Sequence, residues 1–158
     1  MGIRLAHAED AEETWVIRNL ALRHGCRDVY DADALAAFTP DVMPAGYYRA
    51  IEENPFYVME AEGRLVATGF LDLQQQSVEA IFTLPGHEGR GYATAILTAI
   101  KQEAQRRGFP GLTLSSTPNA AGFYLRQGFT RVRDSEYFSA RARRAYACVE
   151  MQWVAVGR

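Results

Sequence analysis

The sequence predicts an α/β fold of the α+β kind: a mixed, mostly antiparallel central sheet of about seven strands, flanked by helices. Three observations carry that prediction. Segments follow one another as strand, helices, three strands, helix, strand, helix and two strands. The three consecutive strands have links short enough for an antiparallel meander. The chain has 158 residues, 48% of them hydrophobic, with no linker or repeat to divide it. Such a length can bury one sizeable core, so residues 1–158 are read as a single domain.

Each element has its own signal. "IRLAHA" (Ile3–Ala8) alternates apolar and polar residues, as a strand with one buried face does. Asp10 is placed to cap a helix through "AEETWVIRNLALRHG", with Gly25 as its stop. "DADALAAF" reads as a short helix closed by Pro40, and "TPDVMP" as a loop. "AGYYRAIEEN" reads as a third helix, ended before Pro55 because the residue before proline avoids the helical region. "PFYVMEAE", "LVATGFLDL" and "SVEAIFTL" form the meander, joined by "EGR" and "QQQ". A long helix runs from about Tyr92 to Arg107 and ends at Gly108. "GLTLSS" is a strand, "PNAAGFYLRQ" a short helix stopped by Gly128, and "FTRVRDSEYF" and "YACVEMQWVAV" the last two strands. The basic link "RARR" (Arg141–Arg144) is expected at a solvated hairpin tip.

Composition excludes several classes. A formal charge of −2 and a pI near 5.9 give no nucleic-acid footprint. All but one of the 17 basic residues are arginine, Lys101 being the exception, which reflects composition rather than a site. No apolar run approaches the ~18 residues of a membrane span, and "MGIRLAHAEDAEE" is no secretory leader. A myristoylation motif would need Ser or Thr where Ala6 stands. A cytoplasmic protein is therefore expected. Cys26 and Cys148 have no metal-ligand spacing, and neither have His7, His24 and His87, so no metal is expected. His87 reads as an exposed loop residue.

The first chemistry-bearing stretch is "LPGHEGRGYATAIL", three glycines in six residues before a helix. A helix start leaves four backbone N–H groups without partners and carries partial positive charge. Glycines there let a ligand approach the backbone closely. Together they suit a phosphate or pyrophosphate, although a glycine turn before a helix is more often only structural. A P-loop would need Gly-Lys-Ser/Thr, and a Rossmann fingerprint a third small residue in a parallel unit; "GRGYAT" provides neither.

This stretch resembles the acyl-CoA-binding turn of the GNAT superfamily of N-acetyltransferases, whose motif Gln/Arg-x-x-Gly-x-Gly/Ala maps onto Glu88-Gly89-Arg90-Gly91-Tyr92-Ala93. Gly91 and Ala93 match, whereas Glu88 replaces Gln or Arg. A carboxylate beside a pyrophosphate is repelled unless it points to solvent or pairs with a cation such as Arg90. A second segment, "STPNAAGFYLRQGF", resembles the family's later motif, with Phe123-Tyr124 and Gly128-Phe129 in place. The resemblance implies that Gly89, Arg90, Gly91, Tyr92, Ala93 and Thr94 hold the pyrophosphate. It also implies that backbone groups of Ile81, Phe82 and Thr83 line the pantetheine arm. Thr117 lies seven residues before the tyrosine and Asn119 five; either can bond that arm.

The same resemblance implies Tyr124 as general acid, since a phenol with a pKa near ~10 stays protonated and can protonate a leaving thiolate. Otherwise it is one more packed aromatic. Glu79, in the strand before the glycine turn, is the candidate base for the amine, although a lone strand Glu is more often a solvated outer-face residue. Strand alternation sets Glu79, Ile81 and Thr83 on one face. Tyr30, Tyr47 and Tyr48 fall where the family shapes its acceptor pocket. The implied activity is acetyl transfer from the co-substrate acetyl-CoA to a small-molecule or peptide amine in a ternary complex. No cysteine sits where it would carry the acyl group. A non-catalytic acyl-CoA-binding module on the same fold is the alternative. Family members are often dimers, which makes a homodimer an open expectation.

Overall fold

The computed structural model describes residues 2–139 and 143–155. They form one seven-stranded sheet of order β1-β2-β3-β4-β5-β7-β6. The strands are β1 Gly2–Leu5, β2 Phe56–Ala61, β3 Arg64–Asp72, β4 Ser77–Thr83, β5 Gly111–Ser116, β6 Thr130–Ser139 and β7 Arg144–Val154. The helices are α1 Ala11–Gly25, α2 Ala32–Phe38, α3 Ala45–Glu53, α4 Tyr92–Arg106 and α5 Ala121–Arg126. Every strand pair is antiparallel except β4 and β5. The expected three-strand meander is extended to four because β1 returns to pair with β2.

The sheet has a helix layer on each face. α4 buries Ile96, Leu97, Ile100 and Ala104 completely, at the one-turn spacing of an amphipathic helix. They pack with Met59, Leu71, Val78, Leu114 and Met151 from the sheet, in one core with Tyr124 and Phe129. On the other face Ile17 of α1 packs with Val58, Leu65 and Leu84. Phe56 stacks on Phe70 at 4.8 Å beneath α3. No helix among the described residues is long and apolar enough to cross a membrane.

Three local expectations need correction. The first strand stops at Leu5: the Ala6 N–H makes a last bond to the Phe56 carbonyl at 2.7 Å, and a single 3-10 turn, Ala8–Asp10, then intervenes before α1. Asp10 does not cap α1 with its side chain. Its carboxylate accepts from the His7 N–H at 2.7 Å and pairs with Arg4 at 2.8 Å, tying that turn to β1. The basic link is more than a solvated tip. Arg144 pairs with Asp31, whose carboxylate also caps α2 through the Ala34 N–H at 2.8 Å. Arg141 of that link lies outside the described residues.

The feature that positions the site is the β4–β5 junction. These parallel strands are in register at a single pair, Ser77 with Thr113. Beyond it they diverge, and β4 keeps its ladder only with β3 on the other side. An open seam therefore runs through the middle of the sheet, toward the start of α4 and the end of β5.

Candidate active site

At one mouth of the seam lies the glycine turn. Gly89 and Gly91 have φ of +77° and +84°, a region that costs a residue with a Cβ but not glycine. Nothing stands within 4 Å of where a Cβ would be at either, so the backbone is open to a ligand. Gly91 is the N-cap of α4 and no side chain caps the helix start. Tyr92, Ala93 and Thr94 thus begin α4 facing a cleft of about 430 Å³, which Thr83, Gly89 and Arg126 also line. Uncapped N–H groups, positive helix end and steric access together fit the diphosphate of a nucleotide-like group.

Glu88 does not oppose this by pairing with Arg90, the cation expected for it. Its carboxylate folds back onto the turn, accepting from the Gly86 N–H at 2.8 Å, and lies 3.8 Å from His24 Nε2 on α1. Its own N–H and that of Gly86 hold its carboxyl below the usual range. The residue out of step with the family motif thus braces the turn while also lining its cleft.

Glu79 is set by a β-bulge. Phe70 pairs with Glu79 and Thr68 with Phe82, so β4 carries one extra residue between them, and Ala80 adopts φ of +56°. The bulge reverses the alternation expected from the sequence. Glu79 shares its face with Phe82, toward α1, whereas Ile81 and Thr83 face α4. The chain allows this because residue 69 is glycine: a Cβ there would stand 2.8 Å from Ile81 Cγ1. Ser77 Oγ donates to Glu79 Oε2 at 2.6 Å. Burial pushes the Glu79 carboxyl above the ordinary range, the Ser77 hydroxyl offsets part of this, and the charge of Asp72 adds to it.

Tyr124 lies in the core on the α4 face of the sheet. It is 8% exposed and packs against Phe123 and Phe129, with ring centroids at 5.1 and 5.8 Å. The Phe129 N–H returns to the Tyr124 carbonyl at 3.0 Å past Gly128, closing α5. That is the physical content of "FYLRQGF": a short helix, a left-handed glycine stop and an aromatic that fixes the tyrosine. Burial raises the phenol well above the usual tyrosine range, and the charge of Glu79 raises it further. Tyr124 and Glu79, on opposite faces, are therefore electrostatically coupled.

At the other mouth of the seam is a second cleft, of about 360 Å³, between α1–α2 and the β5–β7–β6 side of the sheet. Phe82, Tyr30, Phe38 and Tyr137 give it aromatic walls, and Ser115 and Glu150 stand on its floor. Successive residues of β4, Phe82 and Thr83, border the two clefts.

A sequence profile for this architecture settles the family: that described as acetyltransferase (GNAT) domain matches residues 26–152. The chain belongs to the GNAT family. Solved GNAT structures share its fold. A GCN5-related N-acetyltransferase from Rhodopseudomonas palustris superposes with a TM-score of 0.88 at 19% identity, over 97% of this chain and 94% of that one. The PaiA N-acetyltransferase of Thermoplasma acidophilum, in complex with coenzyme A, gives 0.77 at 14% identity, over 97% and 98%. YncA, a putative acetyltransferase from Salmonella typhimurium with acetyl-CoA, gives 0.73 at 21% identity, over 100% and 95%. No curated protein matches the chain significantly.

Within this GNAT domain the other predicted residues separate. Thr117 lines the aromatic cleft. Asn119 instead accepts a weak bond from Cys26 Sγ at 3.6 Å and packs at the end of α1. Arg90 is exposed and outside the turn's cleft. Tyr30 lines the aromatic cleft, but Tyr47 is taken up by the core, donating to Thr14 Oγ1 at 2.9 Å and packing on Trp15. Three residues escaped the sequence reading. Arg126 and Gln127, at the end of α5, line the turn's cleft, and Gln127 Nε2 donates to Thr94 Oγ1 at 3.3 Å. Their only signal was adjacency to Tyr124. His87, expected to be exposed, borders the same cleft, and its Nδ1 is buried without a partner among the described residues.

Proposed function

We propose that this GNAT protein is an N-acetyltransferase that moves an acetyl group from acetyl-CoA to a primary amine by direct attack in a ternary complex. The observation that carries the reading is the parting of β4 and β5 beyond Ser77–Thr113, with successive β4 residues, Phe82 and Thr83, bordering a cleft on either side. Tyr124 in the α4-face core lies close enough to Glu79 for that charge to raise its phenol. Acetyl-CoA supplies an activated acyl thioester, at whose carbon an amine displaces the thiolate. This chain's residues do the rest. The N–H groups opening α4 hold the pyrophosphate, Arg126 adds positive charge beside it, and the unpaired backbone edge of β4 at Ile81–Thr83 receives the pantetheine arm. Thr117, at the end of β5, stands across the seam from that edge. The amine enters by the aromatic cleft.

Glu79 removes the proton that an amine carries at neutral pH. Its raised pKa brings it closer to that of the ammonium and makes it a stronger base than an ordinary carboxylate. Tyr124 gives its proton to the departing sulfur. Burial that raises its phenol keeps it protonated at neutral pH, so the proton is present when the sulfur departs. No cysteine serves as an acyl carrier in this reading: burial raises both the Cys26 and the Cys148 thiols, so neither is a ready thiolate.

The test is thiol release from acetyl-CoA with a panel of amines, alongside calorimetric titration of CoA. Turnover with any amine supports the enzyme. Binding without turnover across a broad panel makes it a non-catalytic acyl-CoA module, and no binding removes the pyrophosphate reading altogether.

A further inference from the structure

The aromatic cleft has a charge pattern of its own. Across the sheet on the α1 face, register aligns Ser115 of β5 with Glu150 of β7, and Glu150 with Arg133 of β6. Glu79 stands on the same face of β4, on the other side of β5. Glu150 is two strands from the reaction strand, and because β4 and β5 have already parted at this level the separation exceeds the ~10 Å of two paired spacings. Glu136 lines the cleft as well, but it pairs with Ala147, out of alternation with Glu150, so Glu150 is the carboxylate that register directs onto the cleft floor. Arg133 holds Glu150 at 3.1 Å from outside, with side-chain exposures of 64% and 33%. An ion pair that exposed is weak and exchanges partners readily.

The walls oppose anions. The rings of Tyr30, Phe38 and Tyr137 form an edge-to-face group, with centroids 5.5 Å apart for Tyr30 and Phe38 and 6.1 Å for Phe38 and Tyr137. Aromatic faces attract cations. The Tyr30 hydroxyl donates to the Ala147 carbonyl at 3.1 Å, so its proton is not offered to an anion, and burial pushes the phenol up to about 12. Arg18 also lines the cleft, but its guanidinium donates to the Phe38 carbonyl at 2.8 Å and to Asn19 at 2.9 Å, and stacks over Trp15 at 4.4 Å.

We infer that the acceptor is a dicationic amine. One ammonium is acetylated at the seam, and a second positive group, carried on an apolar spacer, stays charged and pairs with Glu150 between the aromatic walls. This rests on the acetyl-transfer reading, and it makes Glu150 a specificity-determining residue rather than a catalytic one.

The test compares three acceptors of equal carbon length at saturating acetyl-CoA: cadaverine, n-pentylamine and δ-aminovalerate. Cadaverine is expected to have a kcat/KM about tenfold above n-pentylamine, the size of one favourable cation contact, with δ-aminovalerate lowest. Glu150→Gln should bring cadaverine down to the level of n-pentylamine, leaving n-pentylamine itself and the Kd for CoA unchanged. A preference for δ-aminovalerate, equal rates for all three, or a cadaverine preference that survives Glu150→Gln overturns the inference alone. The wild-type series needs no variant to fold. Absence of CoA binding, or of thiol release with every amine, overturns the acetyl-transfer reading and this inference together.

Discussion

At the scale of single residues, the proposed chemistry rests on two groups whose surroundings move both pKa values upward for the same reason, loss of water. Tyr124→Phe keeps the ring that packs on Phe129 and removes only the phenol proton. It should lower kcat by about tenfold or more, the usual contribution of a positioned acid, with the Kd for CoA unchanged. Unchanged turnover would remove Tyr124 from the reaction. Glu79 must be ionised to act, and its carboxyl titrates above the ordinary range. The rate should therefore climb with pH through that raised value. In Glu79→Gln this acid limb should vanish and kcat should fall; a pH–rate profile identical to wild type would exclude Glu79 as base. Glu88 is a different case. Glu88→Gln keeps an acceptor for the Gly86 N–H while removing negative charge beside the cleft. CoA should bind more tightly by calorimetry, by a few-fold for a solvent-screened charge. A weaker Kd would mean that the carboxylate's grip on the turn outweighs its repulsion.

At the scale of elements, the β4 bulge decides which side chains meet the seam. It separates Glu79 from Ile81 and Thr83, and it exists because Gly69 lets β3 lie close to Ile81 and Ile96. In Gly69→Ala the new methyl would stand 2.8 Å from Ile81 Cγ1 and 3.0 Å from Ile96 Cγ2. Overpacking of this kind costs about 1–3 kcal/mol. The melting temperature should fall, and the KM for acetyl-CoA should rise if Ile81 borders the pantetheine path as proposed. A variant with wild-type Tm and KM would show that β4 relaxes without loss. α5 works by similar logic. It is only six residues long, so its place depends on the Gly128 stop, on Phe129 against Tyr124, and on Lys101 of α4, whose ammonium donates to the Gln127 carbonyl between the rings of Phe129 and Trp153.

At the scale of the whole molecule, ion-paired carboxylates, one between β1 and the following 3-10 turn and one within α4, set its response to acid. Asp10 is held below the usual range first by Arg4, and Glu103 of α4 first by Arg106 and then by Arg107. A carboxyl depressed in the folded state adds stability that is complete above its unfolded pKa, near ~4, and is lost as pH falls through the folded value. Thermal stability should therefore drop below about pH 4. Asp10→Asn should remove about 1 kcal/mol at neutral pH, as for a partly exposed pair, and flatten part of that drop; an unchanged acid profile would take Asp10 out of the account. The sequence by itself determined the elements and their order, because hydrophobic period, proline and glycine act within a few residues: α1, α3, β5 and the span of α4 were legible to within about two residues. It also determined the glycine turn and the "FYLRQGF" closure, whose geometry is local. Only the tertiary structure decided the rest. The Ala80 bulge depends on what β3 places opposite β4, so simple alternation put Glu79 on the wrong face. The Glu88–His24 contact, Arg126 at the turn, and Glu150 on the cleft floor each join residues distant in the chain. No pattern along the chain records such contacts, because they arise from strand register and from the seam that opens when β4 and β5 part.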